Sequence, residues 1–265
     1  MAVVDAVVLA GAANAKRLRA VSREPYEALI PVADRRMVDF VVAALEESPS
    51  VTRAAVVGPV PQLKYLEQGK VKAVLPCAGS VMDNLRQGLE WLQPQGYVLV
   101  ATSDIPLLTA AAVEDFLKRA QATQADFYYS IVEKGVGEAR YPGVKRTYVR
   151  LKDGTFTGGN LFLFHPRIVD RVWRLAEEMV RLRKQPLKMC SLLGWGQVLR
   201  LVLGQLTIAA VEQRFAEIAG AVGKAVISPY PEVGIDVDKP SDYELVQRFM
   251  GWGGKTWSGG AGLNG

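Results

Sequence analysis

One carboxylate in the sequence is a candidate for catalysis or metal binding. Asp104 ends an apolar run, and Ile105 and Pro106 follow it directly. Magnesium prefers oxygen ligands and is usually held by one or two carboxylates together with substrate phosphates. An aspartate close to a proline is also a common turn residue. The position therefore supports two interpretations, a magnesium ligand and a simple turn former.

A loop of small residues follows the first apolar run of the chain and suits the same chemistry. It opens with Gly11 and Ala12 and becomes basic at Lys16 and Arg17, with Arg23 further along. Backbone N–H groups in such a loop can bind phosphate oxygens, and the basic side chains can offset the phosphate charge. Together with the carboxylate described above, this loop predicts a site for a magnesium–nucleotide complex.

The histidine and cysteine residues of the chain disfavour several other kinds of site. His165 is the only histidine, and it lies at a predicted strand-to-helix junction without a nearby nucleophile pattern, so a Ser-His-Asp or Cys-His site is not supported. Cys77 and Cys190 are far apart and show no paired spacing, so we predict neither a disulfide framework nor a zinc site.

The net charge of +5 is concentrated in one segment. Residues 166–200 contain eight basic and three acidic side chains, and this difference accounts for the whole excess. A basic surface over the entire protein is therefore excluded, and we expect no nucleic-acid partner. The segment could contact an anionic membrane surface or guide an anionic acceptor, although a helical cover with its arginines in solvent is the simpler interpretation.

Hydropathy gives an expectation for the location of the protein. No stretch approaches the roughly 18 uninterrupted apolar residues that a spanning helix requires, and the first residues do not resemble a signal peptide. We therefore expect a cytoplasmic protein without a transmembrane segment. A homodimer is compatible with the sequence, which does not predict the oligomeric state.

Strand and helix patterns alternate through the first half of the chain, which predicts an α/β fold with a mostly parallel sheet and helices on both faces. Predicted strands cover residues 3–10, 53–57, 71–75 and 97–102, and predicted helices cover 37–45, 81–92 and 110–121. In such sheets, ligands bind at the carboxyl ends of the strands. The small-residue loop, Gly79 with Ser80, and Asp104 are all expected at that edge.

The second half of the chain changes in character. Predicted strands at 127–132, 147–151 and 155–164 indicate an antiparallel addition to the sheet, with a hairpin turn at 152–154. A helical segment follows, with helices expected over 168–182 and 198–215, and then a strand at 225–227 and a last helix to about 250. We expect one domain over residues 1–250, with a flexible glycine-rich tail at 251–265.

Five short segments, in the same order, resemble those of the MobA-like NTP-transferase family. They are VVLAGA at 7–12, ALIPV at 28–32 with MVDF at 37–40, SDIPLL at 103–108, GGN at 158–160 and IDVDKPSD at 235–242. The resemblance implies a Rossmann-like three-layer sandwich of the GT-A nucleotidyltransferase type, with residues 166–223 as an α-helical insertion. It also implies Mg²⁺-dependent transfer of a nucleotide from a nucleoside triphosphate to a phosphorylated small-molecule acceptor, with release of pyrophosphate.

The resemblance further implies roles for individual residues. The catalytic set is Asp104, Glu27 and Lys16 or Arg17, and the metal ligands are Asp104 with Asp236 or Asp238. The nucleotide-binding set is Leu9, Ala10, Gly11, Ala12, Arg23, Gly79, Ser80 and Asn84, and the acceptor-binding set is Gly159 and Asn160. From sequence alone, Ser80 is also a good N-cap for the helix at 81–92, and Asp236 or Asp238 could cap the last helix.

Two positions depart from the family pattern. Glu27 stands where the family usually has a lysine that contacts the nucleotide phosphates, and Ala12 stands where a glycine is usual. Arg23 or a loop cation could replace the lysine, Glu27 could bind a second magnesium, or activity could be lost. A catalytically silent nucleotide-binding protein is therefore an alternative function. A GT-A glycosyltransferase is another, but residues 102–104 lack the usual Asp-x-Asp motif.

Overall fold

The structure is a computed structural model that describes residues 3–14, 17–182 and 185–251. Within these ranges the chain forms ten strands, which are β1 (Val4–Leu9), β2 (Pro31–Val32), β3 (Arg35–Arg36), β4 (Val51–Val57), β5 (Val71–Leu75), β6 (Val98–Thr102), β7 (Phe127–Glu133), β8 (Val149–Leu151), β9 (Gly154–Phe164) and β10 (Gly223–Ser228). The same ranges contain ten α-helices, which are α1 (Met37–Glu47), α2 (Val60–Leu63), α3 (Val81–Leu92), α4 (Ala110–Gln121), α5 (Lys134–Arg140), α6 (Val169–Leu182), α7 (Pro186–Leu192), α8 (Trp195–Val202), α9 (Ile208–Ala219) and α10 (Pro240–Phe249). Residues 252–265, most of the predicted tail, lie outside the described ranges.

The central sheet has the order β10-β7-β9-β6-β1-β4-β5. β9 runs antiparallel to its neighbours β6 and β7, and the other neighbouring pairs along this order are parallel. β8 pairs with the start of β9 as a hairpin, and β2 and β3 form a separate small ribbon. The predicted fold class, a mostly parallel α/β sheet flanked by helices, is confirmed, and the antiparallel addition lies inside the sheet.

Helices cover the sheet on both faces because the strand residues alternate in direction. In β1, Ala6 and Val8 pack into the cluster that holds Val41 of α1 and Phe116 of α4. Val7 packs into the opposite cluster, where α3, α6 and α9 supply apolar side chains. A third apolar cluster joins α10, the small ribbon, and Tyr141 and Val144 in the segment after α5. The result is a three-layer sandwich.

The helical segment differs from the prediction in two respects, the division of one helix and an additional short helix. The stretch 198–215 is two helices, α8 and α9, and not one. Gly204 adopts a φ of 66°, and α9 begins afresh at Thr207, whose hydroxyl accepts a hydrogen bond from the Ala210 N–H (3.1 Å). The Asp153 carboxylate in the β8–β9 turn accepts another from the Ile208 N–H (2.9 Å). The short helices α5 and α7 were not predicted.

The parallel strands β1, β4 and β6 end at the same edge of the sheet. Leu9, the last residue of β1, is paired with Thr102 at the end of β6 and with Val57 at the end of β4. The loops that leave these strands therefore lie side by side at the carboxyl edge of the sheet. None of the helices in the described part of the chain is long and apolar enough to cross a membrane.

A carboxylate links two elements of the α1/α4 layer. Ser48 and Ser50, which connect α1 to β4, are buried, and Glu114 of α4 accepts hydrogen bonds from the Ser48 hydroxyl, the Ser50 N–H (3.0 Å) and the Ser50 hydroxyl (2.8 Å). Burial alone would raise the pKa of Glu114, but these hydrogen bonds lower it below the ordinary value of 4.5. The carboxylate form of Glu114 therefore stabilises the fold.

We expect Glu114→Gln to lower the free energy of unfolding by about 1–3 kcal/mol at neutral pH, because charge-assisted hydrogen bonds to partly buried groups are lost. Since the folded pKa is below 4.5, the stabilisation is present above that pH and is lost as the pH falls through the folded pKa. Urea titrations at neutral and acidic pH test this. Glu47→Gln, at an exposed position nearby, is the control. An equal loss at both pH values would contradict the assignment.

Candidate active site at the carboxyl edge of the sheet

Backbone hydrogen bonds hold Asp104 between two other segments. The Ser103 N–H donates to the Leu9 carbonyl (3.2 Å), which ties the segment after β6 to the end of β1. The Asp104 carbonyl accepts from the Val237 N–H (2.9 Å), which ties it to the segment before α10. Asp104 is thus fixed where segments from distant parts of the sequence meet.

Three carboxylates converge at this point. Asp104, Asp236 and Asp238 each place one carboxylate oxygen within 4.8 Å of the other two. Asp104 Oδ1 is buried and has no hydrogen-bond partner among the described residues. Oxygen ligands in a compact group are what a hard divalent cation uses in proteins. The structure therefore brings together the three residues named above as metal ligands, in an arrangement that could hold such an ion.

The capping alternative for Asp236 and Asp238 is wrong. α10 begins at Pro240 with Lys239 as its N-cap, and in the described structure that cap makes no side-chain hydrogen bond. The Asp238 N–H donates to the carboxylate of Asp242 (3.2 Å), which lies inside the first turn. Asp242, which the sequence did not single out, therefore serves the helix start and leaves the two earlier carboxylates directed elsewhere.

The electrostatics of the cluster follow from burial. Burial raises the pKa of Asp104, the Thr102 hydroxyl opposes this, and the charges of Glu27 and Asp238 raise the pKa further. Burial also raises the pKa of Asp236, to about 7, with the Asp104 charge as the second cause and Arg146 opposing both. Without a bound cation, the aspartate charges therefore repel one another, and the fold holds the three residues together against that repulsion.

Arg146 is the counter-charge that the sequence did not reveal. Its side chain is only 8% exposed, and its guanidinium contacts the Asp236 carboxylate (3.0 Å) and the Asp242 carboxylate (3.5 Å). It also donates to the Asp236 carbonyl (2.6 Å). These contacts fix the position of Asp236. Arg146 lies ninety residues from Asp236 in sequence, so only the tertiary structure could show the pairing.

The loop between β1 and α1 is folded back on itself by Asn14. The buried Asn14 amide donates to the carbonyls of Ser22 (3.0 Å) and Glu24 (2.8 Å), and the Glu27 N–H donates to the Ala12 carbonyl (3.0 Å). Leu9 and Ala10 lead into this loop, and the Ala10 N–H is held by the Val57 carbonyl (2.8 Å). These hydrogen bonds therefore fix the backbone at the start of the loop in one position.

The loop cations take different positions. Arg17 and Arg23 are exposed, and Lys16 lies outside the described residues. Arg19 is used structurally, since it donates to the carbonyls of Asn14 (3.3 Å) and Arg23 (3.2 Å). Two of the predicted basic residues are therefore on the surface of the loop, where they could meet a charged ligand.

Glu27 lies near enough to Asp104 for its charge to act on that carboxylate. Its backbone is bound to Ala12, its side chain is half-buried, and its charge is near enough to raise the pKa of Asp104. The residue that departs from the family pattern thus adds a further negative charge to the three-carboxylate group.

The residues assigned to the nucleotide side gather at the start of α3. The Ser80 hydroxyl accepts from the Asp83 N–H (3.1 Å) while the Asp83 carboxylate accepts from the Ser80 N–H (3.0 Å), so the predicted capping role is confirmed. Buried Asn84 accepts from the Ala78 N–H (2.6 Å), next to Gly79. A Cβ on Gly11 would lie 2.7 Å from the Asn84 amide nitrogen, so the first loop packs directly on α3.

The residues assigned to the acceptor side lie on β9. The Asn160 amide donates to the Val233 carbonyl (3.3 Å), which connects β9 to the segment that carries Asp236. Gly159 is buried, and a Cβ there would lie 2.2 Å from the Ser130 hydroxyl of β7. Gly159 therefore allows β7 and β9 to approach at a shift in their register.

Comparisons with known proteins agree on the kind of domain. A family described as the MobA-like NTP transferase domain matches residues 6–190. A solved structure described as a hypothetical transferase from Thermus thermophilus is 41% identical, with 91% of this chain and 99% of that chain covered and a TM-score of 0.77. No protein with a curated description matches the sequence.

More distant solved structures share the fold. A CMP:2-keto-3-deoxy-manno-octonic acid synthetase complexed with CTP is 14% identical, with 96% of this chain and 100% of that chain covered and a TM-score of 0.60. A 4-diphosphocytidyl-2C-methyl-D-erythritol synthase from Anaerococcus prevotii is 12% identical, with 94% and 96% covered and a TM-score of 0.55.

The raised pKa values of the cluster predict a specific pH dependence of stability. Without metal, the folded state keeps protons that the unfolded state has released, so stability falls as the pH rises from the ordinary aspartate pKa of 3.8 towards about 7. Asp104→Asn removes one buried charge and its repulsion of Asp236. We expect this variant, in a chelator, to lose less stability than the wild type across that window and to melt higher at about pH 8.

Thermal melts of the two proteins in buffers spanning this pH range make the measurement. Asp34→Asn is the matched control, because Asp34 is exposed in the turn of the β2–β3 ribbon. The control should follow the wild type at every pH. If Asp104→Asn melts lower than the wild type in chelator at about pH 8, the carboxylates do not repel one another as described.

Proposed function

We infer that this chain, which belongs to the MobA-like NTP transferase family, is a magnesium-dependent nucleotidyltransferase. It transfers a nucleoside monophosphate from a nucleoside triphosphate to a phosphorylated small-molecule acceptor and releases pyrophosphate. The observation that carries the proposal is the meeting of Asp104, Asp236 and Asp238 beside the folded first loop. Acidic ligands next to a phosphate-binding loop are the combination that a metal–nucleotide complex requires.

The three carboxylates are the residues that would hold magnesium. The buried Asp104 oxygen without a hydrogen-bond partner in the described structure fits this assignment, since a cation would satisfy it. Bound there, magnesium would draw negative charge away from the phosphates of the nucleotide. Arg146 holds Asp236 in place through their ion pair (3.0 Å).

The chain's own groups would then bind and orient the two substrates. The backbone of the Gly11–Ala12 loop and the start of α3 offer N–H groups to the triphosphate, and Arg17 and Arg23 offer exposed positive charge. β9, with Asn160, forms the opposite side, where the acceptor would lie. The site therefore has separate walls for donor and acceptor.

The reaction itself is an in-line displacement at the α-phosphorus. An oxygen of the acceptor's phosphate forms a bond to that phosphorus while the bond to the bridging oxygen of pyrophosphate breaks, and pyrophosphate carries away the electron pair. A phosphate monoester is largely ionised at neutral pH, so the chain need not supply a general base. His165 is in keeping with this, because it packs against Tyr97 at the opposite edge of the sheet (ring centroids 5.4 Å apart).

The role of Glu27 distinguishes an active nucleotidyltransferase from a catalytically silent nucleotide-binding protein. The charge of Glu27 acts on Asp104, so we propose that Glu27 belongs to the acidic metal-binding group and that Arg17 or Arg23 takes over the contact that the usual lysine makes. A catalytically silent nucleotide-binding protein is the second candidate, favoured by the same residue, because an acid near the triphosphate would repel it.

A thermal-shift experiment with the four ribonucleoside triphosphates, with and without magnesium, tests the donor site. We expect one triphosphate to raise the melting temperature of the wild type only when magnesium is present. A ligand at 100 times its Kd adds about 2.7 kcal/mol of stability. Asp104→Asn should fold but show no magnesium-dependent shift, whereas Asp34→Asn should behave as the wild type.

The triphosphate that produces the shift should next be supplied with candidate phosphorylated acceptors while pyrophosphate release is measured. No shift with any triphosphate would refute the donor site. A full magnesium-dependent shift in Asp104→Asn would instead refute the role of the carboxylate cluster and leave nucleotide binding intact.

Substitution of Glu27 separates the two candidate functions. If Glu27 belongs to the metal-binding group, Glu27→Lys places a cation beside Asp104, and we expect the magnesium-dependent rate to fall by about 10²-fold. Glu27→Gln, which removes the charge with little change of size, should fall less. If Glu27→Lys instead creates or increases pyrophosphate release, the natural chain is a weakened enzyme or a binding protein.

A further inference from the structure

A stripe of apolar side chains on α8 is exposed to solvent. Trp195 is 80% exposed, Leu199 61% and Val202 68%, and every residue of this helix is exposed or half-buried. Their spacing of four and three residues places them on one face of the helix. Leu203 directly after α8 and Leu187 on α7 extend the same kind of surface. Exposed apolar groups of this size, close together in sequence, are typical of an interaction surface.

The stretch of sequence that carries this stripe is basic. Residues 179–211 contain no aspartate or glutamate, and they contain five basic side chains. Lys188 and Arg200 are exposed, and the exposed Arg181 is paired with Glu178 of α6. The remaining two, Arg183 and Lys184, lie outside the described residues. Lys188 on α7 and Arg200 on α8 therefore add positive charge to the helices that carry the apolar stripe, while the Asp153 carboxylate lies at the start of α9.

The topology places α7 and α8 at the end of the molecule that holds the carboxylate cluster. β9 finishes at the amino edge of the sheet, since Phe164 pairs with Val98 at the start of β6. α6 then runs away from that edge, and α9 returns to it, because β10 begins beside Phe127 at the start of β7. The helices between α6 and α9 therefore lie towards the carboxyl edge.

A hydrogen-bonded contact holds this surface to the acceptor side of the site. The Lys152 N–H in the β8–β9 turn donates to the Leu206 carbonyl, which follows α8 (2.8 Å). β9 carries Asn160 onward from the same turn. The α7–α8 surface and the acceptor strand thus have a fixed connection.

We propose that α7 and α8 form a docking surface for a bilayer that contains anionic phospholipids. A short helix with tryptophan and aliphatic residues on one face and cations around it suits the membrane interface, where the apolar face enters the headgroup boundary and the cations meet lipid phosphates. A second copy of the chain is a poorer occupant, because it would bring two basic surfaces together. The proposal goes beyond the proposed reaction and does not depend on it.

Vesicle co-sedimentation of the full chain tests the proposal. We expect the wild type to sediment with vesicles of phosphatidylcholine and phosphatidylglycerol at low salt, to sediment much less at high salt, and to remain in solution with phosphatidylcholine alone. Trp195→Ser/Leu199→Ser should weaken binding about tenfold or more. Lys188→Glu/Arg200→Glu should also weaken it about tenfold or more.

Two controls make the result specific. Trp91→Ser removes an exposed tryptophan from the end of α3, near the amino edge of the sheet, and should bind vesicles as the wild type does. A chain shortened to residue 251 should also bind, which separates the α7–α8 surface from residues 252–265. All substituted positions are exposed, so melting temperatures close to that of the wild type are expected.

Three results would overturn the proposal. The first is failure of the wild type to sediment with anionic vesicles at low salt. The second is wild-type binding by both double variants. The third is a dimer in sedimentation velocity that Trp195→Ser/Leu199→Ser dissociates, which would identify a second copy as the occupant. Triphosphate binding followed by thermal shift is a separate readout, so failure here leaves the proposed reaction untouched.

Discussion

The rest of the structure depends on holding several like charges together at the end of an apolar sheet. Asp104 leaves a strand whose residues are nearly all buried, and Asp236 and Asp238 arrive from a segment more than a hundred residues later in the chain. Two backbone hydrogen bonds oppose their repulsion, one from the Ser103 N–H to the Leu9 carbonyl and one from the Val237 N–H to the Asp104 carbonyl. The buried guanidinium of Arg146 opposes it as well. Buried like charges of this kind destabilise a folded state unless an opposite charge offsets them.

Parallel and antiparallel strands position different parts of the candidate site. Parallel pairing places the ends of β1, β4 and β6 side by side, so that their loops form the wall proposed for the donor. Antiparallel β9 brings a strand interior to the same edge, and its Asn160 is bonded to the segment that leads to Asp236. The walls proposed for donor and acceptor are therefore built from different parts of the chain and meet at the carboxylates.

Much of this arrangement could be predicted because its signals are local. Apolar runs marked the parallel strands, and the Ser80 and Asp83 pair marked the start of α3. The break between α8 and α9 was missed because apolar residues continue across Gly204. Arg146 was missed because its partners are ninety or more residues away, and nothing in its own neighbourhood distinguishes a buried arginine from an exposed one. Asp242 was overlooked because the more prominent carboxylates precede it.

The position of β9 also sets an order for assembly during synthesis. β1, β4, β5 and β6, with the helices between and after them, lie within residues 4–121 and can pair as soon as that length of chain is available. β7 follows in sequence but has no neighbour on that half of the sheet, because β9 separates it from β6. β7 and β10 can join only after residue 164 has been made, so the side of the site proposed for the acceptor is completed late, on strands that have already paired.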